Sequence, residues 1–152
     1  AGMAALASLG LESAIVEFDT STKTARMAAE AMGCELGQIA KSLVFVVDGR
    51  PVLALVAGDR RGDADAIAAE LGGKRAAFAD ADTVRAATGY AIGGVSPFDL
   101  PSDVPVLVDA SLARYAVVYP AAGTPSSMVG MRFERLVEVT GGRVAAIGEE
   151  AS

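Results

Sequence analysis

Residues 42–57 read Ser42-Leu-Val-Phe-Val-Val-Asp-Gly-Arg-Pro-Val-Leu-Ala-Leu-Val-Ala57, two apolar runs joined by Asp48-Gly49-Arg50. Asp-Gly between apolar runs is typical of a β-hairpin, because both residues tolerate the positive φ of a tight turn. Neither run alternates with polar residues, so both faces of the hairpin are expected to be buried. The sequence therefore predicts a hairpin inside a larger, covered sheet.

Shorter elements are predicted on both sides of this hairpin. Helices are expected at Met3–Leu9, from Thr22 or Thr24 to Gly33, from Asp63 to Leu71, from Asp80 or Asp82 to Ala87, and at Phe133–Val139. Strands are expected at Ala14–Phe18, Arg75–Phe78, Val104–Val108, Tyr115–Tyr119, Val129–Met131 and Val144–Ile147, with loops at Gly58–Gly62 and Pro120–Ser127. Strands and helices mix without strict alternation. This predicts one α/β (mixed α+β) domain over residues 1–152, a mixed-direction sheet or partial barrel with surrounding helices.

Composition excludes several kinds of chemistry. The chain has 152 residues, no His and a single Cys. A Ser–His–Asp triad, a Cys–His pair and a histidine zinc site are therefore impossible, as is a disulfide within the chain. The net charge of −6 argues against general DNA or RNA binding, which uses clustered Lys and Arg, although a local basic patch stays open.

The same composition indicates a soluble protein. No apolar run approaches the roughly 20 residues that a membrane helix needs. The N-terminal residues lack the basic region of a secretory signal, so a cytoplasmic location is expected.

Lys41 is the first candidate for chemistry, because it directly precedes the buried hairpin, whereas Lys23 and Lys74 lie in polar contexts. A partly desolvated ammonium there could hold a phosphate or a developing negative charge. Alternatively, its stem covers apolar surface while its head reaches water.

Two further segments are candidates. Gly93-Gly94-Val95-Ser96-Pro97 could present backbone N–H groups to an oxyanion or carbonyl, because glycines allow close approach and Ser96 is held extended before proline. An ordinary connection is the alternative. Asp109 ends an apolar strand, where ligands gather in open α/β sheets, but it could equally cap the helical turn that follows.

Other polar clusters are weaker candidates. The hydroxyls of residues 122–127 could line a pocket, although loop hydroxyls more often bond their own backbone. Cys34 is best explained as a small buried hydrophobe. The pairs Asp63 and Asp65, and Asp80 and Asp82, fit helix capping better than metal binding.

Together these segments resemble the YbaK/EbsC family of prolyl-tRNA synthetase-associated editing domains. The resemblance rests on Ile39-Ala40-Lys41-Ser42-Leu43-Val44-Phe45, on Thr88-Gly89-Tyr90 followed by Gly93–Phe98, on Pro105-Val106-Leu107-Val108-Asp109, and on Ala122-Gly123 before a last helix and strand. Order and spacing hold from about Leu6 to Ile147.

The resemblance implies a small mixed α/β domain that hydrolyses misacylated tRNA in trans, without a metal or other cofactor. It implies that Lys41 and Asp109 are catalytic-pocket residues, Lys41 helping to hold the tRNA 3′ end. It also implies substrate binding by Gly93, Gly94, Val95, Ser96, Pro97, Gly123, Thr124 and Ser126. The expected partners are the aminoacyl-tRNA 3′ end and a synthetase, with no DNA and no membrane. A ribose hydroxyl or the aminoacyl side chain is expected to assist the water, since positioning and carbonyl polarisation can suffice for a reactive ester.

The edited amino acid stays open between small residues such as Ala and Cys. This chain lacks the late-loop His of some Ala-specific relatives, and it carries Ala121 where Cys-specific relatives tend to have Ser. Two other functions also stay open: a non-catalytic binder of small molecules or of a synthetase on the same fold, and a protein-interaction module. For tRNA binding, Lys41, Arg60, Arg61, Lys74 and Arg75 are expected to offset the acidic charge locally.

Overall fold

The computed structural model describes residues 15–17, 24–90, 95–98, 100, 101, 103–121 and 127–150. Its strands are β1 (Ile15–Glu17), β2 (Ile39–Val47), β3 (Arg50–Ala57), β4 (Arg60–Gly62), β5 (Ala76–Phe78), β6 (Val106–Asp109), β7 (Val117–Pro120), β8 (Ser127–Val129), β9 (Met131–Arg132), β10 (Arg143–Ala145) and β11 (Gly148–Glu150). Its α-helices are α1 (Ala25–Met32), α2 (Ala64–Glu70), α3 (Ala81–Thr88) and α4 (Phe133–Thr140), with 3₁₀ turns at Leu36–Gln38 and Ala110–Arg114.

The predicted hairpin is present and forms the centre of the sheet. β2 pairs antiparallel with β3 from Ala40 opposite Ala57 to Val47 opposite Arg50. The turn is therefore Asp48-Gly49 alone, and Arg50 belongs to β3. Both turn residues have positive φ, 49° and 86°, as a two-residue hairpin turn requires. Strand β2 also begins three residues earlier than predicted, so Lys41 lies within it.

The main sheet is mixed, as the sequence predicts. Within the described residues it has seven strands in the order β10-β6-β3-β2-β7-β9, and β5 also pairs with β2. The β3–β6, β6–β10 and β2–β7 pairs are parallel, whereas β2–β3, β2–β5 and β7–β9 are antiparallel. This is a mixed α/β fold.

Helices cover the two faces of this sheet, which confirms that the hairpin is buried on both sides. On the face that we call the front, Phe45 and Val56 pack against α2 through Ile67. On the opposite face, the back, the apolar side chains of β2, β3 and β6 pack against α3, α4 and residues 95–98. Residues 52–57 of β3 have no exposed surface at all.

Segment boundaries differ from the sequence prediction at several points. Arg60–Gly62 is strand β4 rather than loop, paired with β11. The single strand expected at Val144–Ile147 is two strands, β10 and β11. These strands were missed because charged and glycine residues give no apolar alternation. The single strand expected at Val129–Met131 is also two strands, since Val129 ends β8 and Met131 begins β9. The remaining strands are shifted by one to three residues, and the expected Met3–Leu9 helix lies outside the described residues.

The helix caps follow the prediction. Thr24, Asp63 and Asp80 each accept a hydrogen bond from the backbone N–H three residues later, at 3.1, 3.2 and 2.8 Å. Capping therefore explains these aspartates, and the described residues contain no group of three or more potential metal ligands. Cys34 is half-buried against α1, and burial raises the pKa of its thiol.

No helix among the described residues is long and apolar enough to cross a membrane.

Candidate active site

A gap interrupts one edge of β2 beside the predicted lysine. β3 occupies one side of β2, so β5 and β7 must share the other. β7 pairs with Ile39 and Ala40, and β5 pairs with 45–47. Among the described residues no strand pairs with 41–43 on this side. A strand edge with unpaired backbone groups can accept hydrogen bonds from a ligand or a loop, so we take this gap as the candidate site.

Lys41 lies at the gap on the front face of the sheet. It pairs with Val56, which packs with Phe45 and α2 on that face. The side chain is half-buried, and this burial lowers the pKa of its ammonium. The nearby carboxylate of Asp59 opposes that effect and raises the pKa. The backbone of Lys41 is therefore held in the β2–β3 ladder, and its ammonium has restricted access to water.

Asp59 is a residue of this site that the sequence analysis missed. Its carboxylate accepts two hydrogen bonds from the guanidinium of Arg114, at 2.7 and 3.0 Å. This pairing holds the pKa of Asp59 below its ordinary value. The sequence does contain a signal, because Asp59 follows the apolar run Pro51–Ala57 by two residues, much as Asp109 ends an apolar run. The Asp59–Arg114 pair leaves Lys41 beside a carboxylate that is already neutralised.

Ser42 lies at the gap on the back face. Its partner in β3 is Leu55, which belongs to the core on that side of the sheet. Its hydroxyl oxygen is buried and has no hydrogen-bond partner among the described residues. A buried hydroxyl without a partner costs about 1–3 kcal/mol, so its position calls for an explanation. In the sequence, Ser42 is notable only as part of the motif that contains Lys41.

Residues 95–98 also lie on the back face. Val95 belongs to the same core cluster as Val44, and Phe98 belongs to the same cluster as Ala40. This segment therefore packs on the face of the sheet that carries Ser42. Ser96 has no exposed surface, and its hydroxyl accepts a hydrogen bond from the N–H of Phe98 at 3.4 Å. The Tyr90 hydroxyl donates to the carbonyl of Phe98 at 3.1 Å. Hydrogen bonds from Tyr90 and within the segment itself therefore fix the backbone of residues 96–98.

The predicted site residues are only partly gathered here. Lys41 and residues 95–97 approach the same strand from opposite faces. Five predicted substrate-binding residues lie outside the described part of the chain: Gly93, Gly94, Gly123, Thr124 and Ser126. Their role stays a prediction.

Asp109 faces the front, like Lys41, but its carboxylate is bonded to other parts of the protein. The strand register places it two strands from Lys41, roughly 10 Å between backbones. The residue is 2% exposed. It accepts hydrogen bonds from the N–H groups of Ile147 and Gly148 at 3.1 and 2.9 Å, and from the Ser111 hydroxyl. The 3₁₀ turn after it has no side-chain cap, so capping does not explain this residue. Its geometry favours a positioning role over contact with a substrate.

Two of the cations expected to offset the acidic charge already face carboxylates. Arg61 pairs with Glu149 at 2.7 Å, and Arg60 lies 4.0 Å from Glu150. Lys74 and Arg75 are exposed, and neither has an ion pair within the described residues. Among the four arginines and lysines named here, the two without an ion pair in the described part of the chain are therefore Lys74 and Arg75.

A shallow groove at the hairpin-turn end of the sheet is not part of this site. It is lined by Pro51, Thr83, Ala86, Ala87, Pro101, Asp103 and Val104. Pro51 lies five residues along β3 from the partner of Lys41, about 17 Å. The groove brings no reactive group near the gap.

Known proteins share this sequence and fold. The aminoacyl-tRNA editing domain family matches residues 19–139. The uncharacterized protein YwhH of Bacillus subtilis is 37% identical over 88% of this chain and 85% of its own. EbsC of Enterococcus faecalis, named as a candidate Cys-tRNA(Pro)/Cys-tRNA(Cys) deacylase, is 29% identical over 82% of this chain and 76% of its own. The crystal structure of a candidate trans-editing enzyme for prolyl-tRNA synthetase is 38% identical, with a TM-score of 0.88 over 97% of this chain and 94% of that one. This chain therefore belongs to the aminoacyl-tRNA editing domain family.

Proposed function

We propose that this protein is a trans-acting deacylase that removes a small amino acid, Ala or Cys, from misacylated tRNA-Pro. The observation that carries the proposal is the gap on β2, where a half-buried lysine and a buried hydroxyl without a described partner stand on consecutive residues. The relative named as a Cys-tRNA deacylase and the structure named for prolyl-tRNA synthetase support this choice of substrate.

Lys41 is proposed to hold the 3′-terminal phosphate. An ammonium is a compact point charge that suits a phosphate oxygen. Its half-buried position makes the attraction stronger than it would be in open water. Asp59 does not cancel this charge, because its carboxylate is bound by Arg114.

The aminoacyl group is proposed to enter from the back face of β2. There the Ser42 hydroxyl would donate to or accept from the substrate, which would satisfy its unused hydrogen-bonding capacity. The backbone of Gly93, Gly94, Val95, Ser96 and Pro97 would polarise the ester carbonyl. Gly123, Thr124 and Ser126 would border the amino-acid side chain.

The proposed reaction is ordinary ester hydrolysis. Water attacks the ester carbonyl carbon, and the carbonyl oxygen takes up the negative charge beside the backbone N–H donors. The bond to the ribose oxygen then breaks, and that oxygen receives a proton. The products are a free amino acid and a tRNA with an unmodified 3′ end. The chain contains no His, so we propose that a ribose hydroxyl of the substrate assists the water, and no step passes through a metal.

Asp109 is proposed as a positioning residue. Its carboxylate ties the end of β6 to the segment between β10 and β11. That connection fixes the front of the sheet, on which Lys41 is based. We also propose that a synthetase supplies the misacylated tRNA, because the net charge of −6 favours delivery over capture from solution.

Deacylation of a panel of charged tRNAs tests this function. The panel contains Ala-, Cys-, Ser- and Pro-tRNA-Pro, incubated with the wild type, Lys41→Ala and the control Arg143→Ala. Arg143 is an exposed cation on β10, three strands from β2. We expect hydrolysis of the Ala or Cys species, sparing Pro. Loss of the Lys41 charge should slow it by roughly 10- to 100-fold, as expected for a charged hydrogen bond of about 1.5–3 kcal/mol.

Three results would count against the proposal. No hydrolysis across the panel by a folded protein would favour the non-catalytic binder. Equal losses in Lys41→Ala and Arg143→Ala would show that charge alone matters. Activity abolished by a chelator and restored by a divalent cation would contradict a reaction without a metal step.

A further inference from the structure

Phe78 is an aromatic side chain displayed on the surface. It is 66% exposed, more than any other large hydrophobic residue in the described part of the chain. Its ring stacks on Phe45, with 4.4 Å between centroids and 28° between planes. Phe45 is 1% exposed and pairs with Phe78 across the β2–β5 ladder. One side of the exposed ring is thus held by the core, and its orientation is fixed.

This ring lies beside the gap and on the same face as Lys41. β5 forms one border of the gap, and stacking on Phe45 puts the ring on the front. Lys41 is four residues from Phe45 along β2, about 13 Å. An exposed aromatic ring and a half-buried cation therefore follow one another along a single strand edge.

Free cations continue this line beyond Phe78. Lys74 and Arg75 immediately precede β5, and both are exposed without an ion pair among the described residues. Their backbone N–H groups donate to the Asp48 carboxylate at 2.9 and 3.0 Å. These bonds occupy both oxygens of Asp48 and fix the segment. The line from Lys41 to Arg75 covers about 23 Å, seven residues of strand.

An aromatic platform between cations is the pattern that binds single-stranded nucleic acid. Bases stack on aromatic rings, and cations contact the phosphates between them. The acylated 3′ end of a tRNA is single-stranded. We propose that Phe78 stacks a nucleobase of this 3′ end, and that Lys74 and Arg75 contact phosphates further from the ester. This inference rests on the proposed function, because that proposal places the 3′-terminal phosphate at Lys41.

Binding of RNA without an ester tests the inference separately from catalysis. The probe is a fluorescent single-stranded RNA ending in CCA, titrated with full-length wild type, Phe78→Ala, Phe78→Trp and the control Val144→Ala. Val144 is an exposed apolar residue on β10, across the sheet. We expect Phe78→Ala to weaken binding roughly 5- to 100-fold, the equivalent of about 1–3 kcal/mol per stacked base. Phe78→Trp should restore it, and Val144→Ala should leave it unchanged.

The phosphate contacts are tested separately, through the dependence of RNA affinity on salt concentration. In the double variant Lys74→Ala/Arg75→Ala, the slope of log affinity against log salt should fall by about 1.4, because each phosphate contact to a single strand contributes about 0.7. Phe78→Ala should leave this slope nearly unchanged, since stacking releases no counterions.

The outcomes separate the two proposals. Loss of binding in Phe78→Ala supports the platform even if no charged tRNA is hydrolysed. Wild-type binding by a folded Phe78→Ala overturns it even if deacylation is normal. The wild type could also prove to be a dimer that the Phe78→Ala substitution dissociates. If the two proteins then bound RNA equally well, the ring would be assigned to contact between copies of this chain, and the platform would be overturned.

Discussion

Lys41 and Ser42 are consecutive residues of β2, and strand geometry sends them to opposite faces of the sheet. Lys41 reaches the front, near the Asp59–Arg114 pair, and Ser42 reaches the back, the face on which residues 95–98 pack. Both residues are half-buried, and within the described ranges neither β5 nor β7 pairs with this part of the strand edge. Each supports a prediction of its own.

The charge of Lys41 predicts how activity responds to alkaline pH. Burial lowers its pKa, so the ammonium is lost at a lower pH than in an ordinary lysine. We expect the enzymatic rate, after subtraction of spontaneous ester hydrolysis, to fall on this alkaline side. Lys41→Arg should remove the fall, because a guanidinium stays charged. Parallel profiles for the two proteins would show that another group sets the alkaline limit.

Ser42 predicts opposite changes in activity and stability. Ser42→Ala removes a buried oxygen that has no described partner, so the free energy of unfolding should stay the same or rise. The rate of deacylation should fall about 2- to 10-fold, because a neutral hydrogen bond to the substrate contributes about 0.5–1.5 kcal/mol. Urea unfolding and single-turnover kinetics measure the two effects. A less stable variant with full activity would contradict the proposed contact.

At the scale of elements, Asp109 connects β6 to the segment that joins β10 and β11. That segment also accepts a bond from the start of α2, since the N–H of Asp63 donates to the carbonyl of Ile147 at 2.7 Å. Gly148 is required at this crossing, because a Cβ there would collide with the Asp109 carboxylate. The Asp109 carboxylate therefore fixes a segment to which the start of α2 is also bonded.

Substitution of Asp109 tests whether it positions the site or reacts in it. Asp109→Ala leaves two buried N–H groups without this acceptor, and at about 1–3 kcal/mol each we expect a loss of roughly 2–5 kcal/mol in urea unfolding. Asp109→Asn keeps an acceptor, so it should fold better and retain most of its activity per folded molecule. Asp65→Ala, an exposed aspartate, serves as the control. A stable but inactive Asp109→Asn would support direct catalysis.

At the scale of the whole molecule, the acidic charge and the proposed RNA path are compatible because charge is unevenly placed. Arg60 and Arg61 are turned toward carboxylates of β11, and Arg114 is turned toward Asp59 in the turn between β3 and β4. Lys74 and Arg75 have no ion pair with any described residue, and they lie next to the strand that carries the exposed ring of Phe78. Net charge describes the average surface, whereas a single-stranded RNA end meets only a narrow part of it.

The sequence predicts the centre of this fold better than its edges. The hairpin, the caps at Asp63 and Asp80 and the covered sheet follow from local chemistry that a short window contains. The β4–β11 pair does not, because Gly148 and Arg61 meet only after the chain has closed on itself. At the site, the sequence indicates Lys41 because this lysine directly precedes the apolar hairpin, whereas Lys23 and Lys74 lie in polar contexts. The importance of Ser42, Asp59 and Phe78 depends on neighbours 13 to 55 residues away, namely Leu55, Arg114 and Phe45.

The two-sided placement of Lys41 and Ser42 has an evolutionary consequence. In the proposed arrangement, β2 contacts the nucleotide on the front face of the sheet and the amino acid on the back face. Because neighbouring residues of a strand share a backbone but not a face, either set of contacts can be replaced while the other is preserved. With the contacts separated in this way, relatives of this protein could change the amino acid that they remove while their contacts with the RNA stayed the same.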